Sequence, residues 1–245
     1  MCNRYLPPRP TDITELWKPR RAEVNFPPGP VFPRMTGPFI RRTAHAADCE
    51  REFVVGQWGL VPWFAKTPKL TYSTNNARFE QIASTASFKQ SWMRGQRCII
   101  PAMSFDEPNW ESGRNEWWTF RRADGDAWGL AGVWNTWTDK ASGEVVETYT
   151  MLTLNADHHP LMRRMHKPDP KLAPSMQDKR SVVPIDLADV DQWLHGRVED
   201  AARLVRLAPL EAFAAGPVTE AREHGSRVQG AWPRGLLFAR DPKLY

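Results

Sequence analysis

The chain has 245 residues, of which 41% are hydrophobic and 25% charged, and its formal net charge is +5 at pH 7. This length supports a hydrophobic core without staples, and three cysteines without CxxC spacing argue against a disulfide framework and a structural zinc site. The modest positive charge permits a polyanionic partner without requiring one. No apolar run approaches the ~20 residues of a membrane span and the start is no signal peptide, so we expect a soluble, cytoplasmic protein.

Proline is concentrated at the start of the chain, where nine of the 22 prolines fall between Pro7 and Pro38. Because proline cannot propagate a helix or occupy a central strand, this stretch predicts an extended, loop-rich segment that wraps around the molecule. Short strand-like runs follow at residues 53–55, 58–63, 98–100, 117–120, 129–134 and 149–154. Asp124 and Gly125 predict a hairpin turn between the runs that end at residue 120 and begin at residue 128.

Helices are expected to be fewer than strands. Helical spacing of apolar residues or capping signals predict them at residues 79–86, 87–95, 186–196 and 198–207. Ser87 is the expected cap of the second, and Leu187 belongs to the expected inward face of the third, which Gly196 ends. No repeat or linker divides the chain, so we expect a single α+β domain over residues 1–245 with a sheet-rich core.

Cys2 is the first residue with a distinctive chemistry. Removal of the initiator methionine is ordinary before a small side chain, and it would leave a cysteine whose α-amine and thiol share one carbon skeleton. An α-amine has a reference pKa of about 7.7–8.0 against about 10.4 for lysine, so it can attack an aldehyde near neutral pH. The thiol could then close on the imine to give a five-membered thiazolidine ring. A frayed terminus is the ordinary alternative for a lone Met-Cys start.

Four polar patterns further along the chain add to this terminus. They occupy residues 75–80, 99–107, 152–166 and 179–180. The first puts an amide and a guanidinium at a strand-to-helix junction, and the second puts two carboxylates directly after a buried strand. The third leads from a strand into three histidines, and the fourth puts two cations before an apolar run. Each pattern is weak alone.

Together and in this order, the terminus and these patterns resemble the SRAP family (SOS-response-associated peptidases, or abasic-site processing proteins). The family's hallmarks are Met-Cys-Gly-Arg, Trp-Gly-Leu-x-Pro-x-Trp, Asn-Ala-Arg-x-Glu, Pro-Ala-x-x-Phe-x-Glu and a late His followed by Arg-Met-Pro. Here they match residues 1–4, 58–63, 76–80 and 101–107, and His166 with Arg180. The resemblance covers essentially residues 1–195 and leaves 196–245 peripheral. It implies a barrel-like, mainly antiparallel core with flanking short helices.

The family is taken to bind single-stranded DNA and to join its N-terminal cysteine to the opened sugar of an abasic site. By motif position the resemblance implies that Cys2 is the nucleophile and that Asn76 orients it or the sugar. It also implies that Glu107 is the acid/base and that His166 acts on the sugar oxygen. Histidine, with a reference pKa of about 6.5, suits protonation of a ring oxygen, and a carboxylic acid can assist the loss of water during imine formation.

The resemblance also implies a set of DNA contacts, formed by Arg4, Trp58, Trp63, Arg78 and Arg180. The arginines would hold flanking phosphates as planar bidentate donors. Of the two tryptophans, one is expected in the core and the other as a platform on which a base stacks.

Three departures from the family pattern bear on the site. Asn3 replaces the usual glycine and adds a side chain beside the nucleophile. Asp106 and Pro108 replace the aromatic pair that flanks the family's glutamate, and a close Asp106 would raise the pKa of one carboxyl. Arg164 competes with Arg180 for the phosphate role, and if Arg180 is correct, an insertion at residues 167–178 separates it from His166.

Other interpretations compete with these. His158, His159 and His166 lack an HExxH or a supporting Cys/His pair, so we expect no metal, and no cofactor is expected. Cys49 reads as a loop thiol and Cys98 as a buried strand residue whose pKa an apolar run would raise.

Two other functions stay open beside DNA crosslinking. One is an N-terminal-nucleophile peptidase or amidohydrolase, including autoproteolytic removal of Met1, in which the amine serves as base for its own thiol. The other is a non-catalytic binder of single-stranded DNA. In each case we expect a monomer.

Overall fold

The computed structural model describes residues 1–20, 25–43 and 50–218. Eleven strands in these residues are β1 Tyr5–Leu6, β2 Thr36–Arg42, β3 Arg51–Trp58, β4 Asn76–Arg78, β5 Arg97–Ala102, β6 Ser104–Asn109, β7 Glu116–Arg122, β8 Trp128–Thr138, β9 Val145–Asn155, β10 Arg180–Val182 and β11 Phe213–Pro217. The α-helices are α1 Pro10–Trp17, α2 Ala86–Met93, α3 Val190–His195 and α4 Val198–Arg203. Single 3-10 turns lie at Phe79–Gln81, Met162–Arg164, Pro174–Met176, Leu187–Asp189 and Leu210–Ala212.

Five strands close into a barrel in the order β9-β3-β2-β5-β8, because β8 pairs back onto β9. All of these pairs are antiparallel except β3 with β9, which run parallel. Short strands β4 and β10 extend the barrel sheet from β9. The expected barrel-like, mainly antiparallel core with flanking short helices is therefore confirmed.

Side-chain alternation assigns each barrel residue to one of two apolar clusters. On β5, Cys98 and Ile100 belong to the cluster that includes Cys2 and Trp58, whereas Ile99 between them belongs to the cluster that includes α1, α2 and α3. This period of two is that of a strand with one face inside the barrel and the other under the helices. Burial raises the pKa of the Cys98 thiol, as expected, and Cys49 lies outside the described residues.

A second, four-stranded antiparallel sheet carries the amino terminus, in the order β1-β6-β7-β11. Its first pair sets Tyr5 opposite Phe105 and Leu6 opposite Ser104. The phenol of Tyr5 also meets that of Tyr149 on β9, with 2.5 Å between the hydroxyl oxygens. The start of the chain is thereby fixed between the second sheet and the barrel.

One predicted pairing is wrong, and the prediction of an extended Pro-rich segment without helix is wrong over one helix. The turn at Asp124 and Gly125 exists, with Gly125 at φ 88°, but β7 and β8 on its two sides pair with different sheets and form no hairpin. The Pro-rich segment contains helix α1, because Pro10 occupies its first turn, where a missing N–H costs nothing. Pro38 lies within β2, beyond the two residues that β5 pairs.

The helix predictions hold in part. The segment over residues 79–86 forms only a 3-10 turn before α2, and α2 begins after Thr85, two residues before the expected cap Ser87. Leu187 is exposed, because α3 begins only at Val190. The fourth helix begins where expected and ends early, at Arg203. Among the described helices, none is long and apolar enough to cross a membrane.

Candidate functional site

The amino terminus lies against a carboxylate and an imidazole that come from distant parts of the chain. The α-amine of Met1 hydrogen-bonds with Nε2 of His166 and lies 3.5 Å from Oε2 of Glu107. The same Glu107 oxygen lies 2.8 Å from His166 Nε2. Glu107 is only 1% exposed, whereas His166 is half-buried. The three groups form one compact polar cluster at the end of the chain.

Backbone pairing to β6 brings the terminus to this cluster. The amide of Asp106 donates to the carbonyl of Arg4 at 3.0 Å, just before β1 pairs with the start of β6. The guanidinium of Arg4 reinforces the contact with a 2.6 Å hydrogen bond to Asp106 Oδ2. Because residues alternate along β6, Glu107 faces away from Asp106 and toward the leading residues.

Cys2 is fully buried next to the cluster, and two amides hold its backbone. Its carbonyl accepts hydrogen bonds from Nδ2 of Asn76 at 2.7 Å and of Asn75 at 3.2 Å. Asn75 also donates to Oδ1 of Asn3 at 3.1 Å. The thiol lies 3.4 Å from the carbonyl of Arg4. The asparagine that departs from the family pattern at position 3 thus takes part in fixing the first residues of the chain.

Burial controls the ionisation of both reactive groups. It raises the pKa of the Cys2 thiol well above its ordinary value, and the negative charge of Glu107 raises it further. Burial also disfavours the charged form of Glu107, yet the positive amino terminus and His166 outweigh it, so its pKa lies below the ordinary value. The resting site therefore combines a protonated thiol with an ionised carboxylate.

The pKa of Asp106 is raised, which agrees with the expected direction for one of the two neighbouring carboxyls. The main cause is burial, opposed by hydrogen bonds from Thr119 and Arg4. The expected cause, repulsion from Glu107, is not what dominates, because side chains on adjacent residues of a strand point to opposite faces.

His166 has an unusual backbone conformation. Its φ of 63° lies in the left-handed region, which is uncommon for a residue with a Cβ. Its amide donates to the carbonyl of Pro108 on β6 at 2.6 Å, and its own carbonyl accepts from Nζ of Lys179 at 2.6 Å. The ring next to Glu107 is therefore held through the backbone on both sides.

The five residues expected to contact DNA lie in different environments. Trp58 is fully buried, and its indole N–H donates to the carbonyl of Asn75 at 2.8 Å, whereas Trp63 is 62% exposed. The expected division into one core and one exposed tryptophan thus assigns Trp58 to the core.

The three arginines also differ. Arg4 is half-buried against Asp106, and Arg78 is exposed with its guanidinium 2.5 Å from Asp178. Arg180 is 4% exposed and donates to Glu80 at 2.7 Å and to the carbonyl of Thr153 at 2.8 Å, so protein groups occupy its terminal nitrogens. The alternative residue, Arg164, forms a bidentate pair with Glu111 and lies over the ring of Trp118 at 5.0 Å.

Two residues that hold the site received no role from the sequence. Asn75 lies beside a recognised motif residue, and only its folded position distinguishes it from Asn76. Lys179 lies 13 residues after His166, and its contact with the His166 carbonyl spans the segment 167–178. In the described ranges, no three His, Cys, Asp or Glu residues are grouped as metal ligands would be.

The fold and the site together define a barrel protein with a buried amino-terminal cysteine beside a carboxylate, an imidazole and two amides. A family model described as SOS response associated peptidase (SRAP) matches residues 1–223. The chain belongs to the SRAP family.

Two abasic site processing proteins are similar to this chain over part of their length. The abasic site processing protein HMCES of Gallus gallus is 28% identical over 151 residues, 51% of this chain and 44% of that protein. The abasic site processing protein YobE of Bacillus subtilis is 29% identical over 147 residues, 59% of each chain. The matched part thus spans about half the length of these relatives.

Solved structures share the fold over most of the chain. A protein from Bordetella bronchiseptica is 33% identical, with a TM-score of 0.76 over 89% of this chain and 100% of that one. A protein from Bacteroides thetaiotaomicron is 19% identical, with a TM-score of 0.70 over 89% of this chain.

Proposed function

We propose that this protein binds single-stranded DNA and captures abasic sites as a covalent thiazolidine at Cys2 after loss of Met1. The observation that carries the proposal is the position of the amino terminus, with an α-amine between His166 and Glu107 and the Cys2 thiol buried beside them. Removal of Met1 leaves the amine of Cys2 on the same carbon skeleton as that thiol. The names of the relatives, abasic site processing proteins, support this substrate class.

The reaction begins with the closed sugar. His166 gives a proton to the ring oxygen, the bond from that oxygen to C1 breaks, and the C1 hydroxyl gives its proton to the ionised Glu107, which leaves an aldehyde. The amine of Cys2 adds to C1, and the resulting carbinolamine loses water as Glu107 returns that proton to the leaving hydroxyl and nitrogen gives a proton back to His166, which leaves an imine. The sulfur then adds to C1 while its proton passes to nitrogen. The net change is aldehyde plus aminothiol to thiazolidine plus water.

The ionisation of the site supports attack by the amine before the thiol. Because burial and Glu107 keep the Cys2 thiol protonated, sulfur is a weak nucleophile until the imine has formed beside it. A peptidase that begins with thiolate attack needs the opposite shift in the thiol's pKa. The buried thiol therefore favours aldehyde capture over peptide cleavage by sulfur.

Asn76 supports a role in substrate orientation. Its amide nitrogen is committed to the Cys2 carbonyl, while its Oδ1 is buried and accepts no hydrogen bond from the residues that the structure describes. A buried acceptor without a partner carries a free-energy cost that a donor on the substrate, such as a sugar hydroxyl, would remove. On the DNA side, Arg4 and Arg78 would take phosphates and the exposed Trp63 a base.

The test is crosslinking of the Met1-processed protein to an oligonucleotide with one abasic site, followed on a denaturing gel. We expect a heat-stable shifted band that disappears in Cys2→Ala and persists in the matched control Cys98→Ala. Because Cys2→Ala keeps the α-amine, borohydride should still trap its imine. A protein without a Cys2-dependent band, or one whose intact mass retains Met1 throughout, would contradict the proposal. Binding without any crosslink would select the non-catalytic alternative.

A further inference from the structure

We propose that Lys179 is a positioning residue that holds His166 in the conformation needed to open the sugar ring. The proposal rests on the proposed function. Nζ of Lys179 donates to two consecutive carbonyls, those of Met165 at 2.8 Å and His166 at 2.6 Å. Both are backbone contacts, so Lys179 acts on the imidazole through the chain that carries it and touches neither substrate nor Glu107.

The backbone at His166 needs such support. A residue with a Cβ at φ 63° is less stable there than in an ordinary conformation, so the surroundings must impose it. On the amino side, the His166 amide is bound to the carbonyl of Pro108, the residue after Glu107. On the carboxyl side, Lys179 supplies the remaining constraint. Without this hydrogen bond the peptide after His166 can rotate, and the imidazole then moves out of hydrogen-bond distance of Glu107.

The burial of Lys179 indicates that its role is to bind these two carbonyls. The side chain is 6% exposed, and no carboxylate in the described part of the chain lies within ion-pair distance of its Nζ. A buried ammonium without an ion-pair partner is costly unless it is hydrogen-bonded, and burial lowers the pKa of Lys179 against the opposing charge of Asp157. A lysine placed there for stability alone would be replaced favourably by an apolar side chain, which argues for a positional role.

Lys179 also joins the two ends of the segment 167–178. His166 and Lys179 flank this segment, so the hydrogen bond between them connects the point where it leaves the fold with the point where it returns. Asp157 fixes the second of these points, because its carboxylate accepts from the amides of Asp178 and Lys179 at 3.1 and 2.8 Å. The contact explains how a loop of this length can follow His166 without displacing its ring.

The experiment compares two DNA substrates in single-turnover crosslinking. One carries an ordinary abasic site, mostly a closed ring, and the other an acyclic aldehyde at the same position, which needs no ring opening. For Lys179→Met we expect a rate at least tenfold below wild type on the closed ring and within about threefold of wild type on the open aldehyde. Lys179→Arg, which retains the donors, should recover part of the loss. The matched control Lys171→Met changes an exposed lysine of the insertion and should leave both rates unchanged.

Partial unfolding lowers both rates by the same factor. The ratio of the two rates therefore measures ring opening by His166 even if Lys179→Met is less stable than wild type. Equal losses on the two substrates, or a further fall in the ratio of the closed-ring rate to the open-aldehyde rate when Lys179→Met is added to His166→Ala, would overturn the proposal. If wild type crosslinks neither substrate, the proposed function fails first, and that outcome is distinct from an unchanged ratio in a crosslinking protein.

Discussion

At the scale of single residues, the reactive end of the chain depends on one carbonyl that two amides share. Asn75 and Asn76 both donate to the carbonyl of Cys2, at 3.2 and 2.7 Å. A hydrogen bond of this kind contributes about 1 kcal/mol net. Because the second amide remains, loss of one should loosen the terminus without releasing it, whereas loss of both should release it.

We predict that Asn76→Ala lowers the single-turnover crosslinking rate about tenfold and that Asn75→Ala lowers it less. The double variant should lose more than the product of the two single losses, because neighbours that share a partner are not additive. DNA affinity should change little, since neither amide carries charge. The measurement is the rate at saturating oligonucleotide together with affinity by fluorescence anisotropy. A double loss equal to the product of the two single losses would mean that the two amides act independently.

At this scale the sequence predicts the residues that carry the reaction but not those that hold them in place. Motif order was sufficient to group Cys2, Asn76, Glu107 and His166, and the structure brings these four together. Asn75 and Lys179 escaped notice because their roles come from backbone atoms that they contact, and a hydrogen bond to a carbonyl leaves no pattern in residue type. Arg180 likewise has the residue type of a phosphate ligand, and only the fold reveals that Glu80 and Thr153 occupy it.

At the scale of elements, the segment 167–178 ends in a carboxylate that competes for the expected DNA contacts. Asp178 lies 2.5 Å from the guanidinium of Arg78 and 3.1 Å from that of Arg180. A carboxylate between two guanidinium groups occupies the donors that a phosphate would use. DNA binding through Arg78 must therefore displace it.

We predict that Asp178→Asn binds single-stranded DNA two- to fivefold more tightly than wild type, because an exposed ion pair contributes at most about 1 kcal/mol. Anisotropy titrations over a salt series measure the effect, which should shrink as salt rises. Asp169→Asn is the matched control, since it makes the same charge change in the same insertion, where Asp169 bonds to backbone and Gln177 and forms no ion pair with an arginine of the described chain. Equal gains in the two variants would indicate only a general charge effect.

The elements themselves were predictable where the signal is local. Short strand-like runs predict β5, β7, β8 and β9, and the stop signal at Gly196 predicts the end of α3. The hairpin between β7 and β8 was wrong because a turn signal specifies a change of direction but not the partner of the strand that follows. Helix α1 was missed for a related reason, since proline excludes a helix interior but favours a first turn.

At the scale of the whole molecule, closure of the barrel could not be derived from local patterns. It requires β9 to pair with β8 on one edge and with β3, far back in the chain, on the other. Only the family resemblance led to the expected barrel. The barrel also positions the amino-terminal segment. β1 pairs with β6 beside the barrel, and Asn75 and Asn76, where β4 begins next to β9, donate to the carbonyl of Cys2.

His159 links the segment that leads to His166 with the segment around Ala208. His159 is buried; its Nδ1 accepts from the amides of Leu161 and Met162 at 3.2 and 3.0 Å, and its Nε2 donates to the carbonyl of Ala208 at 2.9 Å. This pattern requires the neutral ring, because a protonated Nδ1 cannot accept. Burial accordingly lowers the pKa of His159.

The consequence is a loss of stability in mild acid. In the unfolded chain His159 titrates near 6.5, above its pKa in the folded protein, so the unfolded state binds more protons as pH falls below about 6.5. Stability due to this histidine is therefore complete above that pH and declines below it. We predict that the urea midpoint falls between pH 7.5 and pH 5.5, and that the fall is smaller in His159→Gln, whose amide can accept and donate at every pH. His158→Gln, at the exposed neighbouring position, breaks none of these hydrogen bonds and should retain the wild-type pH dependence. An identical fall in the two variants would show that other groups control the acid response.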